Sequence, residues 1–454
     1  MNSAQLAELE RMLNEGLARH AVPGAAVGLV LDDEEHFLTT GCTSVRAPVD
    51  VDTETLFQIG STTKTVTASL VMRLVERGEL DLDAPVKEYV PELRLADPDA
   101  EDRITLRHLL THTGGQDGDL FEDFGPGTDA LSRACSGMSV LPQLAPLGAM
   151  WSYSNAGFSI AGRAVEAVTG RSFEQASADL LLGPLGMEHS VFGASEAITH
   201  RVAVGHRTHS GRAEVTRPWE LPRAANPAGG MVSSIADQLR YARFHLGDGT
   251  AASGERLLQA DTMRLMQSPL VEAGGGRAVA TGLSWLLQST PGVLAHGGET
   301  NGQSSSFVIV PERKFAIVVA TNADSGVAVH TALVRWSLRT ICQMSQARPA
   351  TTAAGPELAA EATGRYVARS EEVVVSKDAD QVLLALSPTQ LQRAAFPDAV
   401  DIPAAPVELY DGGGLRVTSG PLAGARGELL RDKSGRITWL RILGRIHART
   451  TAGS

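Results

Sequence analysis

Cysteine is scarce in this chain of 454 residues: the three present, Cys42, Cys135 and Cys342, lie far apart in the sequence. No CxxC pair occurs, so the sequence predicts neither a zinc site nor a disulfide framework. We expect the three thiols to be small, buried side chains.

Basic clusters and long apolar runs are also missing. The formal net charge is −12, and phosphate binding needs concentrated Lys and Arg, so nucleic acid is excluded as the main partner. The N-terminal residues show no charged-then-apolar signal pattern, and no apolar run approaches the ~18 residues that span a bilayer. We therefore predict a cytoplasmic protein that does not bind membranes. No P-loop or GxGxxG fingerprint is found, and neither a metal nor an organic cofactor is predicted.

The apolar residues that are present indicate a fold of the α+β class. Two strand-like runs, AAVGLVLDD and EHFLTTGC, follow an N-terminal helix, and helical patterns then dominate. Strand patterns return in TGLSWLLQ, SSFVIVP and FAIVVATN, before a helix from about 327 to 344. Strand patterns thus lie at the two ends of this part of the chain and helical patterns lie between them. This order favours an antiparallel sheet assembled from both ends, with helices packed on its faces.

The C-terminal quarter has a different composition. Residues 346–363 are rich in Ala, Thr and Pro and indicate a linker. Residues 364–454 contain short strand runs separated by turn residues, which predicts a small all-β domain such as a barrel. Residues 1–345 then form the larger domain.

The first chemical motif is Ser61-Thr62-Thr63-Lys64 at the start of a predicted helix. Residues three apart share a helix face, so Lys64 can reach the Ser61 hydroxyl and take its proton, provided that burial keeps its amine neutral. The helix N-terminus also offers backbone N–H groups to a developing oxyanion. Alone, the motif equally describes a capping serine followed by a solvated lysine.

Two further motifs supply groups of the same kind. In Tyr153-Ser154-Asn155, a phenol whose pKa is lowered by a nearby positive charge could carry a proton to a leaving group, while Asn155 could hold Lys64 and contact a substrate amide. In His296-Gly297-Gly298, the glycines would let a substrate backbone lie against a strand edge. The alternatives are a helix cap at Ser154 or Asn155 and a structural histidine.

A histidine pair at helical spacing, His108 and His112, could suggest a metal site. No acidic residue completes an HExxH pattern, so we interpret this pair as structural.

Together and in this order, the three motifs resemble the serine β-lactamase and penicillin-binding-protein superfamily, in its branch of class C β-lactamases, D-stereospecific peptidases and esterases. The strings FQIGSTTKTVTASLVMRLVERGELDLDAPVKEYVPEL, ITLRHLLTHTGG, MWSYSNAGFSIAGRAVEAVTG, NPAGGMVSSIADQLRYARF and HGGETNGQSSSFVIVPE carry the resemblance over residues of about 3–345.

The resemblance implies a β-lactamase/transpeptidase-like fold and a set of roles. It makes Ser61 the nucleophile, Lys64 its base partner and Tyr153 the proton shuttle, with Asn155 positioning the substrate. The N–H near Glu299, beside Gly298, would complete an oxyanion hole with that of Ser61. His296 stands where β-lactamases carry a lysine, which makes β-lactam hydrolysis a poorer expectation than esterase, peptidase or acyltransferase activity.

Within the superfamily, the added β domain resembles the small lipocalin-like domain of stand-alone thioesterases that cyclise nonribosomal peptides. That likeness implies a peptidyl (thio)ester substrate ending in a D-residue, a small-molecule or carrier-protein-bound donor from a peptide synthetase, and a substrate contact from Arg441 or Arg445. A cytoplasmic D-stereospecific aminopeptidase, amidase or esterase is the alternative enzyme. A binding protein without catalytic activity on the same scaffold is the alternative of another class.

Overall fold

A large antiparallel sheet and a closed barrel organise the computed structural model, which describes residues 1–32, 34–120, 122–274, 276, 278–345, 352–379, 381–395 and 399–450. Within those residues the sheet has eight strands in the order β2-β1-β13-β12-β11-β10-β9-β8. The barrel closes because its first strand pairs with its last. The predicted combination of an α+β domain with a small all-β domain is therefore confirmed.

The strands of the large sheet are β1 (Gly24–Leu31), β2 (Glu34–Gly41), β8 (Val271–Glu272), β9 (Ala278–Thr281), β10 (Leu286–Gln288), β11 (Leu294–Thr300), β12 (Gln303–Val310) and β13 (Phe315–Thr321). Short strands elsewhere in this domain are β3 (Leu56–Gln58), β4 (Ser190–Phe192), β5 (His206–His209), β6 (Arg212–Val215) and β7 (Met231–Ser234). The barrel strands are β14 (Gly364–Val367), β15 (Glu371–Asp378), β16 (Gln381–Pro388), β17 (Ile402–Leu409), β18 (Gly414–Val417), β19 (Arg426–Arg431), β20 (Ile437–Ile442) and β21 (Arg445–Arg449).

The helices flank the sheet or connect its strands. They are α1 (Ser3–His20), α2 (Thr63–Glu76), α3 (Pro98–Arg103), α4 (Leu106–Leu110), α5 (Ala130–Gly137), α6 (Asn155–Thr169), α7 (Phe173–Ser177), α8 (Ala194–Ala197), α9 (Asn226–Gly229), α10 (Ile235–Leu246), α11 (Ala260–Gln267), α12 (Gly326–Thr340), α13 (Pro356–Ala362) and α14 (Gln390–Ala395). Within the described residues, every helix is too short or too polar to cross a lipid bilayer. Of the predicted linker, residues 346–351 lie outside the described residues, and the remainder contains α13.

Both faces of the large sheet are covered. On one face, α1 and α12 pack with residues such as Leu13 and Leu333, while the larger core lies between the opposite face and the central helices. Strand β1 is buried on both sides, which explains why its sequence is continuously apolar rather than alternating. This core fixes α2, α6 and β11, which carry the three sequence motifs.

One strand prediction was wrong in detail. The run TGLSWLLQ contains only the last residue of β9 and the whole of β10, because the chain turns between Thr281 and Leu286, where Ser284 has a φ of 71°. The predicted strands AAVGLVLDD, EHFLTTGC, SSFVIVP and FAIVVATN correspond to β1, β2, β12 and β13.

A buried carboxyl on α6 should make stability depend on pH. Burial raises the pKa of Glu166 to about 7, from an ordinary value of 4.5, although its carboxyl accepts a hydrogen bond from the Phe173 N–H. Because the pKa of Glu166 is raised in the folded state, its contribution to stability is fully present below pH 4.5 and is lost as the pH rises through 7. We expect Glu166→Gln to raise the free energy of unfolding at pH 8 by on the order of 2 kcal/mol, with little change at pH 5.

Denaturant titrations at pH 5 and pH 8 measure this change. Glu174 is the matched control, since its hydrogen bonds, those with Arg223 and Asn226 foremost, together outweigh burial and lower its pKa. Its contribution is therefore present above its unfolded pKa and is lost as the pH falls, so Glu174→Gln should destabilise most at pH 8. A Glu166→Gln variant that is equally destabilised at both pH values would contradict the assignment.

Candidate active site

Ser61 lies in a 3₁₀ turn, Gly60–Thr62, that leads directly into α2. Lys64, one turn later, is fully buried, and its Nζ lies 3.1 Å from the Ser61 Oγ. Lys64 Nζ also donates to the Asn155 Oδ1 at 2.7 Å and to the Ala228 carbonyl at 2.5 Å. The predicted proximity of the hydroxyl and the amine is thus present.

The surroundings of Lys64 favour a neutral amine. Burial lowers its pKa well below the ordinary value, the charge of Arg445 lowers it further, and Asp119 acts in the opposite direction. A neutral amine has two N–H bonds and one lone pair. Because the amide and carbonyl oxygens can only accept, both N–H bonds point to them, and the lone pair is left for the Ser61 hydroxyl. This geometry allows Lys64 to take the proton of Ser61.

Tyr153 immediately precedes the N-cap of α6 and hydrogen-bonds to Ser61. The Lys64 Nζ lies 4.9 Å from the centre of its ring. The predicted lowering of its pKa was wrong: burial raises the pKa of Tyr153 above its usual value, and this outweighs the hydrogen bond with Ser61 and the charge of Arg445. The resting phenol is therefore protonated and can donate a proton rather than accept one.

His296 lies on β11, with its ring centre 6.2 Å from that of Tyr153. Its Nδ1 lies 2.8 Å from the carbonyl oxygen of Gly297, so Nδ1 carries the proton. Burial lowers the pKa of His296 to about 3. A neutral ring suits a contact with Tyr153 better than an ion pair with a substrate carboxylate.

Strand β11 runs directly against the turn that carries Ser61. A Cβ atom on Gly60 would lie 2.6 Å from the Glu299 N, and one on Gly298 would lie 2.8 Å from the Ser61 N. The Ser305 Oγ on β12 donates to the Ile59 carbonyl at 2.7 Å and holds the two segments together. The amides of Ser61 and Glu299 thus lie side by side, as an oxyanion hole requires.

Asn155 is the first residue of α6, and the cap is provided by Ser154, whose Oγ accepts from the Gly157 N–H at 3.0 Å. Both ends of the Asn155 side-chain amide are occupied, since Oδ1 accepts from Lys64 and Nδ2 donates to the Asp119 Oδ1 at 2.7 Å. Asn155 therefore positions Lys64, whereas the predicted contact with a substrate amide would need one of these bonds to break.

The hairpin between β20 and β21 brings the barrel to the site. Its tip is a two-residue turn, Leu443-Gly444, in which both φ angles are positive, as tight hairpins require. The Tyr153 N–H donates to the Gly444 carbonyl at 2.9 Å. Arg445 lies 5.3 Å from the Tyr153 ring centre and forms an ion pair with Asp119 at 2.8 Å.

Arg441 serves a different purpose from the predicted one. Its guanidinium donates to the Trp151 carbonyl at 3.0 Å and pairs with Glu428 of the barrel. The side chain is 8 % exposed, so it anchors the barrel to the segment before Tyr153. Of the two predicted arginines, the structure brings Arg445 to the site and keeps Arg441 in the interdomain contact.

Two residues at the site were missed or interpreted as structural. Asp119 lies in a loop with no periodicity, so nothing in the sequence marked it. His112 packs against Tyr153 with ring centres 4.5 Å apart, and its Nδ1 accepts from the Ser154 N–H at 3.0 Å. Its partner in the histidine pair, His108, hydrogen-bonds in the capping box of α4. Within the described residues, no three His, Cys, Asp or Glu side chains gather where they could hold a metal ion.

The chain resembles known proteins over most of its length. The Beta-lactamase family model matches residues 9–338. Penicillin-binding protein 4 of Amycolatopsis lactamdurans is 36% identical over 323 residues, which cover 70% of this chain and 85% of that protein.

Solved structures extend the likeness. The crystal structure of SurE is 27% identical, with a TM-score of 0.79, and the match covers 98% of this chain and 99% of SurE. SurE has also been solved with D-Leu, with a TM-score of 0.78. A class C β-lactamase from Rhodobacter sphaeroides shares the fold, with 24% identity, a TM-score of 0.59 and coverage of 72% of this chain and 98% of that one. Since family members are serine hydrolases and acyltransferases that form acyl-enzyme intermediates, this chain is a serine acyl-transfer enzyme and belongs to the β-lactamase family.

Proposed function

We propose that this enzyme acts in the cytoplasm on a peptidyl thioester whose terminal residue has the D configuration, and transfers the acyl group to the peptide's own amine. The observation that carries the proposal is the barrel hairpin beside Ser61, with Gly444 bonded to Tyr153 and Arg445 above its ring. The match with SurE extends over both domains, and SurE has been solved with a D-amino acid.

The first half-reaction uses the groups around Ser61. The Ser61 Oγ attacks the thioester carbonyl carbon and passes its proton to the neutral amine of Lys64, while the amides of Ser61 and Glu299 hold the oxyanion. The carbon–sulfur bond then breaks. The leaving thiolate takes a proton from Tyr153, which regains one from Lys64, and an ester on Ser61 remains.

The second half-reaction repeats these steps with a different nucleophile. The peptide's amine attacks the ester carbonyl and gives up one proton, and the Ser61 oxygen leaves with a proton, so the product is a cyclic amide. Water in place of the amine would give the linear acid.

Two features support this choice of substrate. At the hairpin tip, Leu443 is 47% exposed and held at a φ of 51°, a conformation that costs a non-glycine residue energy and often marks functional sites. An exposed leucine directly before Gly444, which bonds to Tyr153, offers an apolar surface to the side chain of a substrate residue. His296 is neutral, so it lacks the positive charge that a lysine at this position would offer a β-lactam carboxylate.

Mass spectrometry of product mixtures tests the proposal. We expect a peptidyl N-acetylcysteamine thioester ending in a D-residue to give a product lighter than its acid by one water, and the same peptide ending in the L-residue to react far more slowly. Ser61→Ala, which lacks the nucleophile, is the control for uncatalysed cyclisation. If both thioesters gave only linear acid, the enzyme would be a hydrolase, in line with the peptidase or esterase alternative.

A further inference from the structure

Asp119 joins the barrel to the catalytic amine. It lies in the loop before α5, and its two carboxylate oxygens face different parts of the site. Oδ1 accepts from the Asn155 Nδ2 at 2.7 Å and from the Arg445 Nη2 at 2.8 Å, and Oδ2 lies 2.8 Å from the Arg445 Nε. On the far side of Asn155, Oδ1 accepts from Lys64 at 2.7 Å. These contacts form a continuous chain from a barrel side chain to Lys64.

We propose that Asp119 is a positioning residue of the acyl-transfer site, which fixes the orientation of Asn155 and, through its pairing with Arg445, lets the docked barrel set the proton affinity of Lys64. The proposal concerns the acyl-serine chemistry and does not depend on whether the product is cyclic.

The first part follows from donor and acceptor chemistry. An ionised carboxylate can only accept hydrogen bonds, so Asp119 selects the NH₂ end of the Asn155 amide. The oxygen end must then face Lys64, where it accepts from the amine. If the amide turned over, its oxygen would face a carboxylate and its NH₂ would face an amine, and both hydrogen bonds would be lost.

The second part follows from charge. Arg445 disfavours a positive charge on Lys64, whereas Asp119 favours one. Arg445, through its charge and its hydrogen bond, and Asn155, through its hydrogen bond, in turn keep the pKa of Asp119 below its usual value, against the effect of burial. Because the arginine belongs to the barrel and the aspartate to the catalytic domain, the protonation equilibrium of Lys64 depends on the contact between the two domains.

Several other charged or titratable groups lie near this chain. Burial lowers the pKa of both His112 and His296, so both rings are neutral. Besides Tyr153, four carboxyl groups lie nearby. Asp117 accepts from the Arg369 N–H, and Glu122 pairs with the side chain of the same arginine. Glu371 lies near Arg445, and Glu299 lies near Tyr153.

Direct titration of Lys64 tests the proposal without any substrate. The chain has five lysines, Lys64, Lys87, Lys314, Lys377 and Lys433, so protein labelled with ¹³C at lysine Cε gives few NMR signals, and Lys64→Arg identifies the one of interest. We expect Asp119→Asn to lower the titration midpoint of Lys64 by about one pH unit, and Arg445→Gln to raise it by a similar amount. The double variant should return close to the wild-type midpoint.

Asp117→Asn is the matched control. Asp117 is a buried carboxylate in the same loop and accepts from the Arg369 N–H of the barrel at 2.6 Å and from the Asp119 N–H at 3.3 Å, whereas the Asn155 side chain bonds to Lys64 and Asp119 instead. We expect this variant to lower the melting temperature without moving the Lys64 midpoint. The proposal would be overturned if Lys64 titrated with the same midpoint in wild type, Asp119→Asn and Arg445→Gln. It would also be overturned if Asp117→Asn shifted the Lys64 midpoint as much as Asp119→Asn does.

Labelling kinetics give a second readout that a purely structural role would not move. The rate constant for reaction of Ser61 with a fluorophosphonate, measured against pH, should have an acidic limb that follows Lys64. This limb should move to lower pH in Asp119→Asn and to higher pH in Arg445→Gln. A uniform loss of rate in both variants, with no movement of the limb, would contradict the role assigned to Asp119.

Discussion

Lys64→Met lowers kcat/KM for an activated ester by about 10⁴-fold, the scale expected when one member of a nucleophile–base unit is removed. Methionine fills a similar volume in the buried site but has no lone pair to receive the Ser61 proton. Tyr153 cannot replace the amine, since burial raises its pKa and keeps the phenol protonated. The same loss is expected for Ser61→Ala, and the double variant should be no worse than either single one, because the two residues act as a unit.

Release of a nitrophenol from its ester measures these losses. Lys87→Met and Ser136→Ala are matched controls, since Lys87 pairs with surface carboxylates and Ser136 is exposed. Both controls should keep wild-type kinetics. A Lys64→Met variant within tenfold of wild type would show that another group accepts the proton. Melting temperatures separate loss of chemistry from loss of fold.

Gly298→Ala is the second change expected to have a large effect. The added Cβ would overlap the Ile59 carbonyl oxygen and lie 2.8 Å from the Ser61 N, so β11 would have to move away from the turn that carries the nucleophile. The Glu299 amide moves with the strand. Loss of one oxyanion donor lowers kcat by about 10²–10³-fold.

The neighbouring glycine provides the control. A Cβ on Gly297 would meet the Ser305 carbonyl oxygen at 3.5 Å, an ordinary contact. Gly297→Ala should therefore keep kcat within a few fold of wild type, and steady-state kinetics on the same ester compare the two variants. Equal losses in both would indicate that the strand tolerates no substitution, and would remove the argument for a specific oxyanion geometry.

The sequence predicted the fold class and the residues that meet at the site, for identifiable reasons. Ser61 and Lys64 are three residues apart on a helix, so local geometry alone brings them together. Tyr153, Asn155 and His296 lie in distant segments, and only the resemblance to a known family indicated that the fold would bring them to Ser61. The structure does so, and their chemical roles remain predictions.

Electrostatics were harder to predict. The expected lowering of the Tyr153 pKa considered only a nearby positive charge, whereas burial of the ring has the larger effect and the opposite sign. No sequence pattern reports how deeply a phenol is buried. Similarly, Arg441 and Arg445 occupy equivalent positions in a strand pattern, and only the register of the β20–β21 hairpin sends one to Glu428 and the other to Asp119.

The interior of the barrel is packed with side chains such as Tyr366, Leu384 and Leu440, as expected for a closed barrel of this size. The barrel's contacts with Tyr153 and Asp119 come from the outer hairpin. Substitutions inside should therefore affect only how well the domain folds. Exchange of the hairpin, residues 442–445, with that of a relative would instead replace the barrel residues that contact Tyr153 and Asp119, which makes this short segment the natural place to redirect the enzyme toward other acyl donors.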